Sequence, residues 1–474
     1  WGKEIMPTLE WIGKDKVVNH HLEVPFRTLE KQYTFAPNGG DDDGNMIIHG
    51  DNLEALKALL PQYEGKVKCI YIDPPYNTGN EGWCYNDNVS DPHIQKWLGE
   101  VVGKEGEDLT RHDKWLCMMY PRLMLLQKLL ADDGVIFISI DDNELYNLKS
   151  ICDEIFGASC YVSDIAWQRT YSTRNDSKGI VNEVEHILVY SKEPEWNPNK
   201  LPRTAEMDAK YKNPDNDVSA WRTSDAFAPG AATHQGMVYA IQHPFTGKML
   251  YPSNGACWRY QQDTMLEIMN GWTKYELQDL HDEKERAHVC GISPDEVRPD
   301  VKAIVLADPL EVASANAQKV MERGQWPRFF FTKGGKGGIA RKTYLENVGG
   351  RLPTNFWPFS ETGHTDEAKK EMLAIFDGKA TFDTPKPHRL IEFVLKVAGT
   401  QDALILDSFA GSGTTAHAVL NMNIADGGHR KFILVEMGDY ADTITAERVK
   451  RVIMGYGEGK NAVEGTGGSF SYYE

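Results

Sequence analysis

Apolar residues along this chain fall into short runs that alternate with segments of helical periodicity. The runs suit buried strands, and the segments between them repeat apolar residues at the spacing of amphipathic helices. Over residues 46–190 the pattern predicts strands at 46–49, 67–72, 135–140 and 186–190, and helices at 52–60, 113–130 and 141–156, the second bent or split at Pro121. Strands that alternate with helices in this way indicate a parallel α/β sheet.

The α/β pattern stops in the middle of the chain and later returns. Residues 192–355 are rich in Pro, Gly, Trp and Tyr with few clean periods, and we interpret them as an inserted domain. Beyond it, helices are predicted at 366–376, 387–397 and 440–454, and strands at 403–406 and 432–435. The sequence thus predicts an N-terminal extension (1–45), two halves of one α/β domain (46–191 and 356–455) around the insertion (192–355), and a Gly-rich C-terminal linker (456–474). Because the chain starts at Trp1 and ends in this run, we expect the intact protein to extend beyond both ends.

Composition narrows the class of protein further. With 41% hydrophobic and 25% charged residues over 474 positions, the chain is typical of a globular protein of two or three domains. No run approaches the roughly 20 apolar residues that a membrane helix needs, so no membrane partner is expected. Seven dispersed cysteines without a C-x-x-C pair favour reduced thiols in a cytoplasm, and no metal site is predicted.

A glycine-rich turn, residues 407–413 (DSFAGSG), follows one predicted strand and begins a helix, and Glu436 ends the next strand. Glycines allow a ligand to approach the backbone closely, and a helix N-terminus supplies free amides. A carboxylate at the following strand end can accept both hydroxyls of a ribose. Gly411, Gly413 and Ala416 also satisfy the dinucleotide pattern G-x-G-x-x-A, so an NAD enzyme is an alternative. The position near the C-terminus, without room for a second nucleotide-binding half, weighs against it.

A second motif, Asp73-Pro74-Pro75-Tyr76, follows the strand predicted at 67–72. The Asp73 carboxylate and the Pro74 carbonyl can each accept a hydrogen bond from an aromatic amine, which localises the nitrogen lone pair and directs it at a methyl donor. The prolines stiffen the loop, and Tyr76 offers a flat face on which a flipped-out base can stack. An ordinary turn at a strand end accounts for the same letters, but the carboxyl ends of parallel strands are where α/β proteins bind ligands.

The two motifs together resemble the amino-methyltransferases of DNA in the β arrangement of that family. There the catalytic motif comes first, a target-recognition insertion follows and the cofactor motif comes last, which is the order found here. Finer similarities to the modification subunits of type III restriction systems occur at residues 48–56 (IHGDNLEAL), 76–79 (YNTG), 342–346 (KTYLE) and 382–387 (FDTPKP). The resemblance covers roughly residues 46–190 and 330–455.

The resemblance implies a Rossmann-like S-adenosylmethionine-dependent methyltransferase sheet with a circularly permuted motif order and an inserted target-recognition domain. It implies methyl transfer from S-adenosylmethionine to the N6 amine of a flipped-out adenine in double-stranded DNA. The residues that it implicates in catalysis are Asp73, Pro74, Pro75 and Tyr76. Those that it implicates in cofactor binding are Asp51, Asn52, Lys386, Asp407, Ser408, Phe409, Ala410, Gly411, Gly413, Thr414 and Glu436.

Alternatives to adenine methylation stay open at this point. Methylation of the cytosine N4 amine needs the same acceptors, although that family more often has Ser in place of Asp73. A non-catalytic DNA-recognition subunit on a methyltransferase scaffold is a further alternative. The resemblance implies a homodimer in a prokaryotic cytoplasm, within a restriction-modification or related defence system. No G-x-x-x-x-G-K-[ST] motif occurs in the sequence, so a motor or nuclease activity would need a separate subunit.

Because the net charge is −18, we expect any DNA-binding surface to be a basic patch confined to part of the chain. Residues 332–351 carry five basic residues against Glu346, a local net of +4, and glycines between them would let backbone amides approach phosphates. An ordinary solvated loop explains this composition equally well. If the segment binds DNA, the predicted contacts are Lys333, Lys336, Arg341 and Lys342.

Overall fold

The computed structural model describes residues 8–37, 39, 43–78, 111–171 and 179–474. The chain forms two compact units: unit 1 is Trp1–Leu201 with Leu352–Glu474, and unit 2 is Pro202–Arg351. Unit 2 is shorter than the predicted insertion because the flanking segments pack with unit 1. Leu201, for example, is buried in a core of unit 1, and the Asn199 amide donates to the Val397 carbonyl at 2.8 Å.

Unit 1 is built on a ten-stranded sheet. Its strands are β1 (Lys31–Phe35), β2 (Met46–His49), β3 (Val67–Ile72), β4 (Leu130–Ile140), β5 (Tyr161–Gln168), β6 (Val184–Ser191), β7 (Phe356–Trp357), β8 (Leu404–Asp407), β9 (Lys431–Glu436) and β10 (Phe470–Tyr473). They lie in the order β1-β10-β2-β9-β8-β3-β4-β6-β5-β7. All run in one direction except β1 and β6, so the predicted parallel sheet is found at the centre, while the strand predicted at 186–190 is antiparallel to its neighbours.

Helices cover both faces of this sheet because alternate strand residues are apolar on both sides. Ile48 and Ile70 pack into one core, whereas Ile47 and Cys69 pack into the other. In the described residues of unit 1 the α-helices are Lys14–Val17, His20–Glu23, Asn52–Tyr63, Arg111–Leu129, Leu145–Phe156, Phe359–Thr362, Thr365–Ile375, His388–Ala398, Thr414–Asp426 and Glu447–Met454. Unit 1 also contains a π-helix at Ala441–Ala446, short 3-10 turns at Ala158–Cys160 and Gly459–Asn461, and a strand pair, Gly455–Tyr456 with Val463–Glu464.

The structure corrects the prediction for the C-terminal segment, which is not a linker. Its last part forms β10, which lies inside the sheet between β1 and β2. Phe470 and Tyr472 are buried, and the Tyr472 ring stacks on Tyr33 of β1 at 5.0 Å. Glycines made the segment resemble a linker, but the aromatic residues after them bury enough surface to hold a strand.

Two further expectations need adjustment. One continuous helix, Arg111–Leu129, contains Pro121, so the proline does not divide the helix in two. Residues 8–37 of the predicted extension are part of unit 1, since Val17 and Val24 belong to its core and β1 to its sheet. Of the predicted extension, residues 1–7, 38 and 40–42 lie outside the described part of the chain.

Unit 2 mixes small sheets with short helices around its own core of aromatic residues, which includes Trp221, Trp258 and Phe329. A four-stranded sheet orders Met249–Leu250, Ile241–Gln242, Ala303–Leu306 and Tyr275–Gln278, and a three-stranded sheet orders Phe329–Phe331, Ile339–Tyr344 and Trp221–Asp225. Phe227–Pro229 pairs with Ala256–Trp258. The helices are Ala205–Asp208, Gln262–Met269, Glu283–Cys290, Leu310–Arg323 and Thr332–Gly335, with 3-10 turns at Gln235–Met237, Pro294–Glu296 and Leu345–Asn347.

Two findings concern the described residues of both units. Within the described ranges, no helix has both the length and the apolar character needed to cross a bilayer. The six cysteines in those ranges are buried free thiols.

Candidate active site

The predicted site residues meet at one edge of the sheet in unit 1. Strands β2, β9, β8 and β3 are parallel neighbours, so their carboxyl ends lie side by side. Asp51 follows β2, Glu436 ends β9, Asp407 ends β8 and Asp73 follows β3. Residues that are far apart in sequence are therefore brought together where parallel sheets bind ligands.

The motif Asp73–Tyr76 is held by contacts from several elements. The Trp115 indole donates to the Pro75 carbonyl at 2.7 Å. Lys386 Nζ donates to both Asp73 oxygens at 2.9 Å and to the Tyr76 hydroxyl at 2.8 Å, and the Tyr76 hydroxyl donates to Asp73 Oδ1 at 2.9 Å. The ammonium also lies 4.9 Å from the centre of the Tyr76 ring. The structure thus joins Lys386, predicted as a cofactor residue, to the predicted catalytic residues.

A second carboxylate, Glu185 in β6, completes this cluster and was not identified from the sequence. Its Oε2 lies 3.2 Å from the Tyr76 hydroxyl and 3.4 Å from Lys386 Nζ, and its Oε1 accepts from Arg169 at 2.8 Å. Because β6 is antiparallel, its first residues lie at the same sheet edge as the ends of its parallel neighbours. A charged residue just before the apolar run predicted at 186–190 was the sequence signal for Glu185.

The pKa values of the two carboxylates in the cluster are shifted in opposite directions. Burial raises the pKa of Asp73 even though Lys386 opposes the effect. For Glu185, Lys386 and Arg169 outweigh burial and lower the pKa. Burial alone would lower the pKa of Lys386, but Asp73 and Glu185 together raise it, so the amine stays charged. Asp73 is therefore the carboxylate whose charge depends most on the position of Lys386.

The loop after Tyr76 is held by a buried carboxylate on a neighbouring element. Asn77 adopts a left-handed backbone conformation (φ 58°) and donates to Glu144 Oε1 at 2.5 Å. Glu144 is fully buried and also bonds His112 at 2.6 Å and Asn147 at 2.8 Å. Asn is among the few residues that tolerate this conformation, and the contact fixes the direction in which the loop leaves β3. Gly79, the last residue of the quoted motif, lies outside the described residues.

An open cleft lies between the loop after β8 and the segment before helix His388–Ala398. Its walls come from both predicted motifs: Tyr71, Asp73, Phe382, Thr384, Pro385, Lys386, Asp407, Phe409, Ala410, Gly411, Ser412, Thr414 and Thr415. Gly413 has φ 80°, and a Cβ there would lie 3.0 Å from the Thr445 carbonyl, so glycine is required for this turn. The lining combines aromatic side chains with hydroxyl and carboxylate groups, as in small-molecule sites.

Two buried carboxylates shape the loop along this cleft. Asp407 accepts from the Phe409 amide at 3.0 Å and from the Thr415 hydroxyl at 2.5 Å, and burial raises its pKa to about 7. Glu436 accepts from the amides of Gly411 at 2.7 Å and Gly438 at 2.9 Å, and burial raises its pKa despite these bonds. The Tyr440 side chain and the Met437 amide also hydrogen-bond this carboxylate.

Asp51, Asn52 and Ser408 support the loop and do not line this cleft. The Asp51 side chain caps helix Asn52–Tyr63 by accepting from the Leu53 amide at 2.7 Å. Asn52 donates to the Ser408 carbonyl at 3.1 Å and accepts from the buried Arg122 guanidinium. These bonds tie the end of β2 to the end of β8.

The structure corrects the predicted DNA-binding cluster in unit 2. Lys342 is completely buried, and its amine bonds Asp215 and Asp217 at 2.5 Å, so it cannot contact a phosphate. Arg341 is partly buried, whereas Lys333 and Lys336 are exposed. Tight packing also explains one of the glycines, since a Cβ on Gly335 would lie 2.9 Å from the Phe245 ring.

The site combines an aspartate-proline-proline-tyrosine loop and a glycine loop at the ends of adjacent parallel strands. These are the two motifs on which the resemblance to the DNA amino-methyltransferases rests. The chain belongs to the DNA methylase family of N6 and N4 methyltransferases, which matches it over residues 67–447.

Individual relatives show which members of this family the chain is similar to. The chain is 33% identical to the type III restriction-modification enzyme StyLTI Mod subunit of Salmonella typhimurium, over 94% of this chain and 62% of that protein. It is 28% identical to the EcoP15I Mod subunit of Escherichia coli, over 91% of this chain and 64% of that subunit. It is 29% identical to the type II methyltransferase M.KpnI of Klebsiella pneumoniae, over 84% of this chain and 81% of that enzyme. The chain thus spans less than two thirds of the length of the two Mod subunits.

Proposed function

We propose that this protein transfers a methyl group from S-adenosylmethionine to the N6 amine of an adenine in double-stranded DNA, as the modification component of a restriction-modification system. The observation that carries the proposal is the shared cleft: Asp73, the predicted amine acceptor, lines the same cavity as Gly411 of the glycine loop. An acceptor for the amine and a site for the methyl donor therefore lie within one small volume.

The residues of the cleft fit S-adenosylmethionine. The hydroxyls of Ser412 and Thr414, which line the cleft, suit the amino-acid end. Glu436 does not line the cleft but bonds the Gly411 amide, and it is the proposed ribose acceptor. When bound, the cofactor supplies a methyl group on a positively charged sulfur. The chain's own task is to hold the target amine in line with that methyl group and to exclude water.

On the target side, Asp73 and the Pro74 carbonyl accept hydrogen bonds from the amine while Tyr76 stacks on the extruded base. Lys386 competes for Asp73, since its ammonium bonds both carboxylate oxygens. Glu185 lies 3.4 Å from the same ammonium and offers it a second acceptor. In this proposal Lys386 moves toward Glu185 as the amine binds, so Asp73 accepts the amine without leaving a buried cation unpaired.

The proposal extends to partners and location through the relatives. Two of them are named as Mod subunits of type III restriction-modification enzymes. By analogy, this protein acts on DNA in a bacterial cytoplasm beside a separate restriction subunit, and the homodimer implied by the sequence resemblance is part of the same proposal. The family includes N4 methyltransferases, so methylation of cytosine N4 is the alternative to be tested.

The decisive experiment pairs Asp73→Ala with product analysis. We expect the wild type to form N6-methyladenine in DNA and Asp73→Ala to form none, while the variant binds S-adenosylmethionine within a few-fold of the wild type in calorimetry. Replacement of the exposed Asp133 by Ala is the control and should change neither measurement. N4-methylcytosine as the wild-type product would establish the alternative, and normal turnover by Asp73→Ala would refute the assigned role.

A further inference from the structure

A buried guanidinium lies directly behind the glycine loop of the cleft. Arg448, in helix Glu447–Met454, is fully buried. Its Nη1 donates to the Ser412 hydroxyl at 2.9 Å and to the Thr414 hydroxyl at 2.7 Å. Its Nη2 lies 3.1 Å from Glu371 Oε2 and 3.1 Å from His417 Nδ1. One side of the guanidinium therefore bonds a carboxylate and an imidazole, while the other side faces two neutral hydroxyls that line the cleft.

The residues around Arg448 also have the spacing of a metal site, since the ligand atoms of Glu371, His388 and His417 lie within 4.8 Å of one another. Arg448 excludes that interpretation on chemical grounds. Its guanidinium donates into Glu371 and lies at hydrogen-bond distance from His417, so a cation there would meet a fixed positive charge and lone pairs already in use. His388 is likewise engaged, with Nδ1 2.5 Å from Glu371 Oε1. The cluster is better explained as the support that orients Arg448.

Each of the two hydroxyls accepts a hydrogen bond from the buried guanidinium and can donate its own proton toward the cleft. A hydroxyl that accepts from Arg448 must direct its own proton elsewhere. The acceptors near the two hydroxyls are distant: the Ser412 and Thr414 hydroxyls are 3.2 Å apart, and the Thr414 hydroxyl is 3.3 Å from the Lys386 carbonyl. Charge-assisted bonds are stronger than neutral ones, so the hydroxyls are polarised toward an anion in the cleft.

We propose that Arg448 is a positioning residue that acts through Ser412 and Thr414 to hold the carboxylate at the amino-acid end of S-adenosylmethionine. The inference rests on the proposed function, because it assumes that this cofactor occupies the cleft. It adds a specific discrimination: the chain should recognise the amino-acid end of the cofactor separately from the adenosine.

The test compares three ligands by calorimetry: S-adenosylmethionine, S-adenosylhomocysteine and 5′-methylthioadenosine, which lacks the amino-acid end. In Arg448→Gln we expect both amino-acid-bearing ligands to bind at least tenfold more weakly, with the affinity for 5′-methylthioadenosine unchanged. Arg448→Lys, which keeps the charge and can reach one hydroxyl, should fall between. Arg451→Gln is the matched control, because Arg451 lies on the same helix but pairs with Glu447 and Asp377.

A second variant distinguishes the loss of these hydrogen bonds from misfolding. Ser412→Ala with Thr414→Val removes the two hydroxyls and leaves the guanidinium in place, and it should reproduce the selective loss. Equal weakening of all three ligands in both variants would mean that the cluster only supports the fold, and unchanged binding in both would also refute the inference. If the wild type binds S-adenosylmethionine but the variants show no selectivity, the inference alone fails. If the wild type binds none of the ligands, the proposed function fails with it.

Discussion

At the scale of single residues, the hydroxyl of Tyr76 has more contacts than its sequence context suggests. The motif predicted an aromatic face for base stacking. The structure adds contacts of the hydroxyl with Asp73, Lys386 and Glu185, of which the last two are 310 and 109 residues away in the sequence. Such partners are brought together by the order of strands in the sheet, which local patterns do not encode.

These contacts lead to a prediction that separates the ring from the hydroxyl. Tyr76→Phe keeps the stacking face but removes a hydrogen bond to the charged Asp73, a kind of bond worth roughly 1.5–3 kcal/mol. We expect kcat to fall about 10- to 100-fold in Tyr76→Phe and further in Tyr76→Ala, which also loses roughly 1–3 kcal/mol of stacking. Single-turnover methylation kinetics would measure both, and a Phe variant with full activity would limit Tyr76 to stacking.

Asp407 supplies a pH-dependent prediction. Burial raises its pKa from 3.8 to about 7, so its contribution to stability is fully present below pH 3.8 and is lost as the pH rises through about 7. Asn cannot ionise and is spared this loss, which amounts to about 4 kcal/mol at about 1.36 kcal/mol per pKa unit. We therefore expect Asp407→Asn to become more stable relative to the wild type as the pH rises from about 4 to about 7, with no further change above that.

Thermal unfolding without added ligand measures this difference, with the exposed Asp402→Asn as the control. A difference between Asp407→Asn and the wild type that does not change with pH would show that Asp407 is ionised throughout the range.

At the scale of elements, the sequence predicted the central strands and most helices to within a few residues. Apolar runs such as 67–72 and 432–435 are buried strands, and their period and length identify them without tertiary information. The strand β10 was missed because its four residues follow a glycine-rich segment and gain their stability only from β1 and β2. The role of Glu185 was missed because the sequence does not show that β6 runs antiparallel to its neighbours. That direction is what brings Glu185 to the sheet edge where Asp73 lies.

The importance of β10 can be tested at its most buried position. Phe470 is fully buried and contacts Tyr33 and Phe35 of β1. We expect Phe470→Ala to lower the free energy of unfolding of unit 1 by about 3–5 kcal/mol, as for other buried Phe→Ala changes. Chemical denaturation would measure it, with Tyr146→Ala, at a position 78% exposed, as the control. A loss no larger than that of the control would mean that β10 adds little to the sheet.

At the scale of the whole molecule, the net charge of −18 leaves few surfaces suited to DNA. The burial of Lys342 reduces the predicted basic cluster of unit 2, in which Lys333 and Lys336 remain exposed. Sequence alone does not distinguish a buried lysine that neutralises two aspartates from an exposed one, because Asp215 and Asp217 lie more than a hundred positions away.

We predict that Lys333→Ala with Lys336→Ala weakens DNA binding and reduces its log–log salt slope by up to about 1.8, at roughly 0.9 per phosphate contact. Cofactor affinity should not change, because neither residue lines the cleft of unit 1. The charge-matched control is Lys284→Ala with Lys319→Ala, two exposed lysines on helices of the same unit. A fluorescence titration over several salt concentrations that gives equal slopes for the two double variants would identify the cluster as a solvated loop.

The strand order also determines when, during its synthesis on the ribosome, the protein can first act. Strands β3, β4, β6 and β5 are neighbours encoded before residue 192, so this part of the sheet can pair early. Between β2 and β3, however, lie β9 and β8, which are translated only after all of unit 2. A nascent chain therefore exposes the Asp73 loop long before it has a glycine loop to receive a methyl donor. The proposed methyl transfer should therefore start abruptly, only after translation has passed Glu436, and nascent chains shorter than this should not methylate DNA.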